Sequence, residues 1–123
     1  MKYKRVLLKV SGEALSGKTP IDFEKTTETA LQIKALHDAG CLLGVVVGGG
    51  NIWRGRSGGT MDRSRADNIG MLATAMNALA LEQALIDLNV PVRVLSAVSM
   101  DMFMDSYSAR EANKSVDAGT VVI

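Results

Sequence analysis

The chain has 123 residues, of which 47% are hydrophobic, 22% charged and 4% aromatic. This is a globular composition, and the length suits one domain on the usual scale of about 100–200 residues. The 14 basic and 13 acidic side chains form no block of like charge, so binding to a nucleic-acid backbone is not indicated. A single cysteine excludes an internal disulfide, and no Cys/His cluster indicates structural zinc.

No stretch of the sequence approaches the roughly 18 apolar residues that a membrane span needs. The apolar run at 6–10 is interrupted by Lys9 and is shorter than the roughly 7–15 residues of a signal-peptide core. We therefore expect a soluble cytoplasmic protein with no membrane partner.

The first half of the chain predicts two strands around one helix. Residues 4–10, KRVLLKV, form a nearly continuous apolar run and predict a buried strand. Asp22 is placed to cap a helix that ends near residue 38, with Gly40 after its end. Residues 42–47, LLGVVV, predict a second buried strand, and three glycines follow it directly.

The second half continues the alternation. Residues 54–66 predict a mobile loop with RSGGT at its tip, and a long helix is predicted from Asp67 to about residue 88. A short strand at 92–95, a helix near 108–117 and a last strand at 120–123 follow. Continuous apolar strands alternating with helices indicate an α/β fold, with a mainly parallel sheet between two layers of helices.

The last strand, TVVI, has the composition of a buried central strand. Chain termini normally lie at the surface, so a domain seldom ends in such a strand. We therefore expect residues 1–123 to be the first portion of a single, longer domain.

Unusual residues follow the first two predicted strands, where ligands bind in parallel α/β sheets. The first strand ends in KVSG and the second in GGGN. Lys9 is costly to bury unless its ammonium meets an anion, and the bare N–H groups of a glycine-rich segment can turn toward phosphate. The alternatives are a lysine that reaches solvent or an acidic partner, a serine that caps the next turn, and glycines that only form a tight turn.

Charged residues follow the glycines. Arg54 lies four residues beyond Gly50, within reach of a ligand there, whereas Arg56, Arg63 and Arg65 are expected to be solvated. Asp67 has two interpretations: it caps the long helix, or its carboxylate accepts two hydrogen bonds from a diol such as ribose. The segment matches neither the GxGxxG nor the Walker A pattern.

Four segments carry a family resemblance: LLKVSGEAL at 7–15, VVVGGGNIWRG at 45–55, DNIGMLATAMNALAL at 67–81 and DSYSAREA at 105–112. In this order and spacing they resemble the bacterial uridylate kinases (UMP kinases), members of the amino acid kinase superfamily. The likeness covers essentially the whole chain. Glutamate 5-kinase, acetylglutamate kinase and aspartokinase share only the lysine of the first strand and a looser glycine-rich segment.

The resemblance implies an amino acid kinase-like fold, of which this chain is the amino-terminal, phosphate- and UMP-binding portion. The implied reaction transfers the γ-phosphate of ATP to UMP and gives UDP for pyrimidine nucleotide biosynthesis. Mg²⁺ would accompany ATP, with its ligands outside this segment, and the protein would be a homo-oligomer, a hexamer in the family. Residues 1–123 alone are expected to be inactive.

The resemblance also implies roles for individual residues. ATP binding falls on six residues: Lys9, Val10, Ser11, Gly12, Gly50 and Arg54. Lys9 and Arg54 would be catalytic. Gly49 would approach the UMP phosphate, and Asp67 would bind the ribose of UMP. Two phosphates that meet on one backbone would then explain the glycines.

Two other functions stay open at this stage. One is a non-catalytic fragment that self-associates through the helix at 67–88, and the other is a kinase of the same superfamily that phosphorylates an amino acid carboxylate. Family members regulated by GTP carry basic residues where this chain has Glu82, Ile86 and Asp117. Activation by GTP is therefore not implied.

Overall fold

The computed structural model describes residues 2–54 and 59–123, and its strands and helices alternate along the chain. In chain order the elements are β1 (Arg5–Val10), a 3₁₀ helix (Gly12–Leu15), α1 (Phe23–Asp38), β2 (Leu42–Val47), α2 (Arg63–Asp87), β3 (Val92–Arg93), β4 (Leu95–Ser96), β5 (Asp105–Ser106), α3 (Ala109–Asp117) and β6 (Val121–Val122). Arg56, at the tip of the predicted loop, lies outside the described residues.

The strands β1, β2, β6 and β3 form a parallel sheet in that order. β1 and β2 pair along their whole length, from Arg5 opposite Leu42 to Val10 opposite Val47. The last strand, β6, pairs with β2 on one side and with β3 on the other. The prediction that TVVI is a central strand is therefore confirmed.

The chain leaves this sheet directly after β3. The strand predicted at 92–95 is divided in two, because β4 pairs with β5 rather than with the main sheet. Arg93 joins these parts: its Nε donates to Asp105 at 3.0 Å and its Nη1 donates to Glu111 at 3.1 Å. The hydrogen bond from Arg93 holds the pKa of the Glu111 carboxyl below its usual value, because it stabilises the charged form.

Helices lie on both faces of the sheet, as predicted, but they cover the faces unequally. α1 and α2 lie on one face, where Ile33, Leu43 and Leu81 belong to the hydrophobic core. α3 lies on the other face and shares a shallow hollow with β1, β2 and β6. Much of that second face is exposed, since 72% of Leu7 and 48% of Val46 are accessible.

The expectation that the first strand is buried on both faces is wrong. Alternate residues of β1, including Leu7 and Lys9, are exposed. Val6, Leu8 and Val10, in contrast, pack against the core from the side of α1 and α2. Among the described residues, α3 covers only part of that second face.

The caps predicted for α1 are confirmed. The Asp22 carboxylate accepts hydrogen bonds from the amide of Lys25 at 3.1 Å and from the amide of Lys18 at 3.0 Å. These bonds favour the ionised carboxylate and hold the pKa of Asp22 below its usual value. After the helix, Gly40 has φ 90°, the left-handed conformation that glycine adopts readily at a helix end.

α2 begins at Arg63 rather than at Asp67, so the predicted loop is shorter than expected. Asp62 caps the helix, because its Oδ2 accepts from the amide of Arg65 at 3.2 Å. The interpretation of Asp67 as the helix cap is therefore wrong, and Asp67 lies inside the helix.

By length and composition alone, α2 could cross a membrane, which the sequence reasoning did not anticipate. In this fold α2 packs along α1 and against β2. Its buried residues are Ala66, Ala73, Asn77, Ala78, Leu81, Ala84 and Leu85. A core helix of an α/β domain has the same apolar character, so composition by itself does not make α2 a membrane span.

Candidate functional site

Two loops meet at the carboxyl ends of β1 and β2, and we call them the first loop (residues 10–12) and the glycine loop (residues 48–54). The amide of Gly48 donates to the carbonyl of Val10 at 2.9 Å. A methyl group on Gly12 would lie 3.0 Å from both the Gly48 oxygen and the Gly50 nitrogen. The two loops therefore pack backbone against backbone, and Gly12 has no room for a side chain.

A second link between the loops runs through charged side chains. Ser11 caps the 3₁₀ helix, since its Oγ accepts from the amide of Glu13 at 3.2 Å. The Glu13 carboxylate in turn pairs with Nη2 of Arg54. The guanidinium of Arg54 lies over Gly50, where an added methyl group would be 3.1 Å from Nη2. Arg54 thus joins the glycine loop to the segment that follows the first loop.

The long helix explains why one position of the loop is glycine. A methyl group on Gly49 would lie 3.0 Å from Cβ of Ala73, 3.1 Å from the oxygen of Gly70 and 3.2 Å from the nitrogen of Thr74. On Gly48 the same group would lie at ordinary contact distance, 3.4 Å from the Gly12 nitrogen. The protein's own packing thus favours glycine at 12 and 49 before any ligand is considered.

The same loop nevertheless leaves hydrogen-bond donors free. Among the described residues, the amides of Gly49 and Gly50 donate to no backbone or side-chain acceptor, whereas the amides of Ile52 and Trp53 both donate to the Gly49 carbonyl. Adjacent unpartnered amides form a concavity that suits an anion.

A hollow of about 580 Å³ opens beside the glycine loop. Its lining residues are Gly50, Trp53, Arg54, Met61, Arg63, Ala66 and Asp67. Arginine binds phosphate or carboxylate through several N–H groups, and a carboxylate accepts hydrogen bonds from hydroxyl groups. The hollow thus suits a ligand with an anionic group and hydroxyl groups.

Arg63 is a site residue that the sequence reasoning missed. It is exposed, as expected, and it also lines the hollow together with Arg54 and Asp67. Arg63 lies in the first turn of α2. The sequence prediction began this helix at Asp67, and it therefore placed Arg63 in the preceding loop. Recognising Asp62 as the cap would have moved Arg63 onto the helix.

Lys9 stands apart from these residues. It is exposed on β1, on the same side of the strand as Leu7, and it does not line the hollow. Within residues 2–54 and 59–123 it forms no ion pair. Among the described residues the Lys9 ammonium is therefore not buried, and the argument that it needs an anionic partner does not apply. The carbonyl of the next residue, Val10, accepts the hydrogen bond from the glycine loop.

The described part of the chain offers no group of three His, Cys, Asp or Glu side chains that could hold a metal ion. Asp67 lines the hollow, and Glu13 is already paired with Arg54.

Comparison with known proteins assigns the family. The family described as "Amino acid kinase family" matches residues 4–123. The chain belongs to the amino acid kinase family. The α/β fold with a mainly parallel sheet, expected from the sequence, is confirmed by the kinase structures that this chain resembles.

Two of those structures are bacterial UMP kinases. The enzyme from Ureaplasma parvum is 41% identical, with a TM-score of 0.92 over 100% of this chain and 54% of that chain. The enzyme from Bacillus anthracis is 36% identical, with a TM-score of 0.93 over 100% of this chain and 52% of that chain. The resemblance to UMP kinases is confirmed, and this amino acid kinase chain spans about half the length of each.

A third structure shows the fold alone. Isopentenyl phosphate kinase from T. acidophilum, in a product complex, is 19% identical, with a TM-score of 0.59 over 94% of this chain and 52% of that chain. At this level of identity the arrangement of strands and helices is shared, and it carries no inference about the substrate of this amino acid kinase.

The two neighbouring glycines give a matched test of packing. We expect Gly49→Ala to lower Tm clearly, because its methyl group would press on the backbone of α2, while Gly48→Ala changes Tm little. Neither residue has a positive φ, so backbone strain does not separate them. Thermal unfolding followed by circular dichroism measures both variants. Equal losses of Tm would contradict the packing explanation.

Proposed function

We propose that the protein containing this chain transfers the γ-phosphate of ATP to UMP and forms UDP. The observation that carries the proposal is the pair of packed loops, with the free amides of Gly49 and Gly50 beside the cation of Arg54. Similarity over the whole chain to two UMP kinases supports UMP as the acceptor. Phosphoryl transfer needs little covalent help from a protein beyond positioning and positive charge, and this site offers both.

On the ATP side we propose Lys9, the backbone of the first loop, Gly50 and Arg54. Arg54 uses Nη2 for its pair with Glu13, and the other N–H groups of its guanidinium are available to phosphate oxygens. Lys9, exposed next to Val10, can bring its flexible ammonium to the same phosphates. Mg²⁺ would arrive with ATP, and since the described residues offer no ligand set for it, no step is assigned to the metal.

On the UMP side we propose Gly49 and Asp67. The free amide of Gly49 is a donor for the UMP phosphate, and the Asp67 carboxylate is an acceptor for the two ribose hydroxyls. Asp67 is exposed within α2 and lines the hollow that Gly50 and Arg54 border. Asp62 caps the helix, so Asp67 is not its cap, and among the described residues the Asp67 carboxylate accepts no hydrogen bond.

A homo-oligomer is also part of the proposal. Exposed apolar side chains follow α2: Met71, Leu72, Met76 and Ile86. An apolar strip of this kind suits contact with another copy of the chain. The same strip would serve the alternative of a non-catalytic, self-associating fragment, so oligomer formation does not discriminate between the two functions and activity must be measured.

We expect Lys9→Ala in the whole protein to lower turnover by about 10²–10³-fold, because it removes one cation from the transferring phosphate. The fold should be unaffected, since Lys9 is exposed. Steady-state kinetics with ATP and UMP, with circular dichroism for the fold, measure the effect. Lys4→Ala, at an exposed position before β1, is the matched control. Turnover of Lys9→Ala within about threefold of wild type would exclude the role, given the usual loss for one such donor.

We expect Asp67→Asn to weaken UMP binding more than ATP binding. A carboxylate accepts from both ribose hydroxyls, whereas an amide presents one acceptor and one donor. Isothermal titration with each nucleotide gives the two affinities. Asp62→Asn is the control, because it alters the cap of the same helix without touching the hollow. Unchanged UMP affinity in Asp67→Asn would contradict the assignment.

We expect residues 1–123 alone to have no kinase activity. The loops, Arg54 and Asp67 form one wall of a site, and the transition state needs donor, acceptor and metal held together. A coupled assay of ADP release with UMP and Mg-ATP, run beside the whole protein, measures this. UMP-dependent turnover close to that of the whole protein would show that these residues contain a complete site.

A further inference from the structure

Asn77 is a fully buried amide in an otherwise apolar stretch of α2, behind the glycine loop. A buried amide is costly unless its donors and acceptor find partners. The Nδ2 of Asn77 donates to the carbonyl of Gly48 at 2.7 Å and to Oδ1 of Asn51 at 2.7 Å. Both amide hydrogens of Asn77 are therefore donated to acceptors in the glycine loop.

Asn51 completes a reciprocal pair with Asn77. Its Nδ2 donates to Oδ1 of Asn77 at 3.0 Å and to the carbonyl of Pro20 at 2.8 Å. All four amide hydrogens of the two side chains are used, and each amide oxygen accepts from the other residue. The Asn51–Asn77 pair thus ties α2, the glycine loop and the segment before α1 together.

The pair also reaches the first loop. A methyl group on Gly12 would lie only 2.4 Å from Oδ1 of Asn51, so this oxygen rests against the backbone of Gly12. The same oxygen is fixed by Nδ2 of Asn77. A side chain on the long helix therefore sets how close the first loop and the glycine loop can come.

We propose that Asn77 is a positioning residue, which acts through Gly48 and Asn51 to fix the separation of the two loops. The inference rests on the phosphoryl transfer proposed above, in which one loop holds the donor phosphates and the other the acceptor phosphate. In such a reaction a displacement of about 1 Å can cost roughly 10²-fold in rate. The pair supplies this precision without touching a substrate.

The test compares two variants of the whole protein on the same helix. Asn77→Leu keeps the branching at Cγ and the number of heavy atoms and removes the hydrogen bonds, whereas Leu85→Ala disturbs the core about 12 Å further along the helix. Hydrogen–deuterium exchange reports the loops directly, and steady-state kinetics with ATP and UMP report the reaction. Asn51→Ala, on the glycine loop, tests the same pair if Asn77→Leu does not fold.

We expect Asn77→Leu to speed exchange in both loops by about tenfold or more, because buried partners lose their hydrogen bonds. It should lower kcat by roughly 10²-fold, with a smaller change in KM. Leu85→Ala should lower Tm and leave loop exchange and kcat near wild type. Combining Asn51→Ala with Asn77→Leu should add little, since both variants break one pair.

The outcomes separate this inference from the proposed function. If the wild-type protein does not phosphorylate UMP but Asn77→Leu loosens both loops, the proposed function is wrong and the structural role of Asn77 stands. If the wild type is active and Asn77→Leu matches Leu85→Ala in exchange and kcat, the positioning role is wrong. Loosened loops with an unchanged kcat would also overturn it.

Discussion

The close approach of two backbone segments at the carboxyl ends of β1 and β2 constrains everything around the candidate site. The register of the strands places Val10 opposite Val47, so β1 and β2 end at the same level of the sheet. The amide of Gly48 then reaches the carbonyl of Val10 at 2.9 Å, and Gly12 is left no space for a side chain. Two short loops that would otherwise move independently become one surface, on which a ligand can meet both at once.

The long helix is the second support of that surface, and it changes the explanation of the glycines. Gly49 lies so close to the backbone of α2 that a methyl group would crowd Gly70 and Thr74. The sequence reasoning attributed the glycines to phosphates, whereas packing already favours glycine at two of these positions, Gly12 and Gly49. Packing and phosphate binding are compatible explanations. The α-carbon of Gly49 packs against the helix, while its amide donates to no acceptor among the described residues. A glycine-rich pattern alone cannot distinguish them.

Local patterns predicted the parts of the fold that local chemistry decides. Apolar runs predicted β1, β2, β3 and β6 but not β5, whose residues are polar, and Asp22 with Gly40 marked the ends of α1 correctly. The exposure of Leu7 was not predictable in this way, because it depends on how far a distant helix, α3, extends over the sheet. The start of α2 was misjudged because Asp62 and Asp67 are both good capping residues, and no apolar repeat in between favours one of them.

The candidate site divides in the same way. The position of the glycines and Arg54 beyond the end of β2 could be predicted, but Asn77 could not be given a role. Its partner Asn51 lies 26 residues earlier in the chain, and an amide within an apolar helix has no periodic pattern that would reveal the contact. Arg63 was missed for a related reason: it lines the hollow from the first turn of α2, and the start of that helix was predicted four residues too late.

The site therefore combines a hydrogen-bonded frame, the Asn51–Asn77 pair, with an exposed positive charge on Arg54. Every amide hydrogen of the Asn51–Asn77 pair is satisfied, and because Asn77 is fully buried, its hydrogen bonds are expensive to break. The pair between Arg54 and Glu13 is exposed on both sides, and ion pairs of that kind contribute little to stability. In the function proposed above, a phosphate would meet the remaining N–H groups of Arg54 while Nη2 stays paired with Glu13 and the loops keep their spacing. Stabilisation of developing charge is most effective when the donors are fixed beforehand in this way.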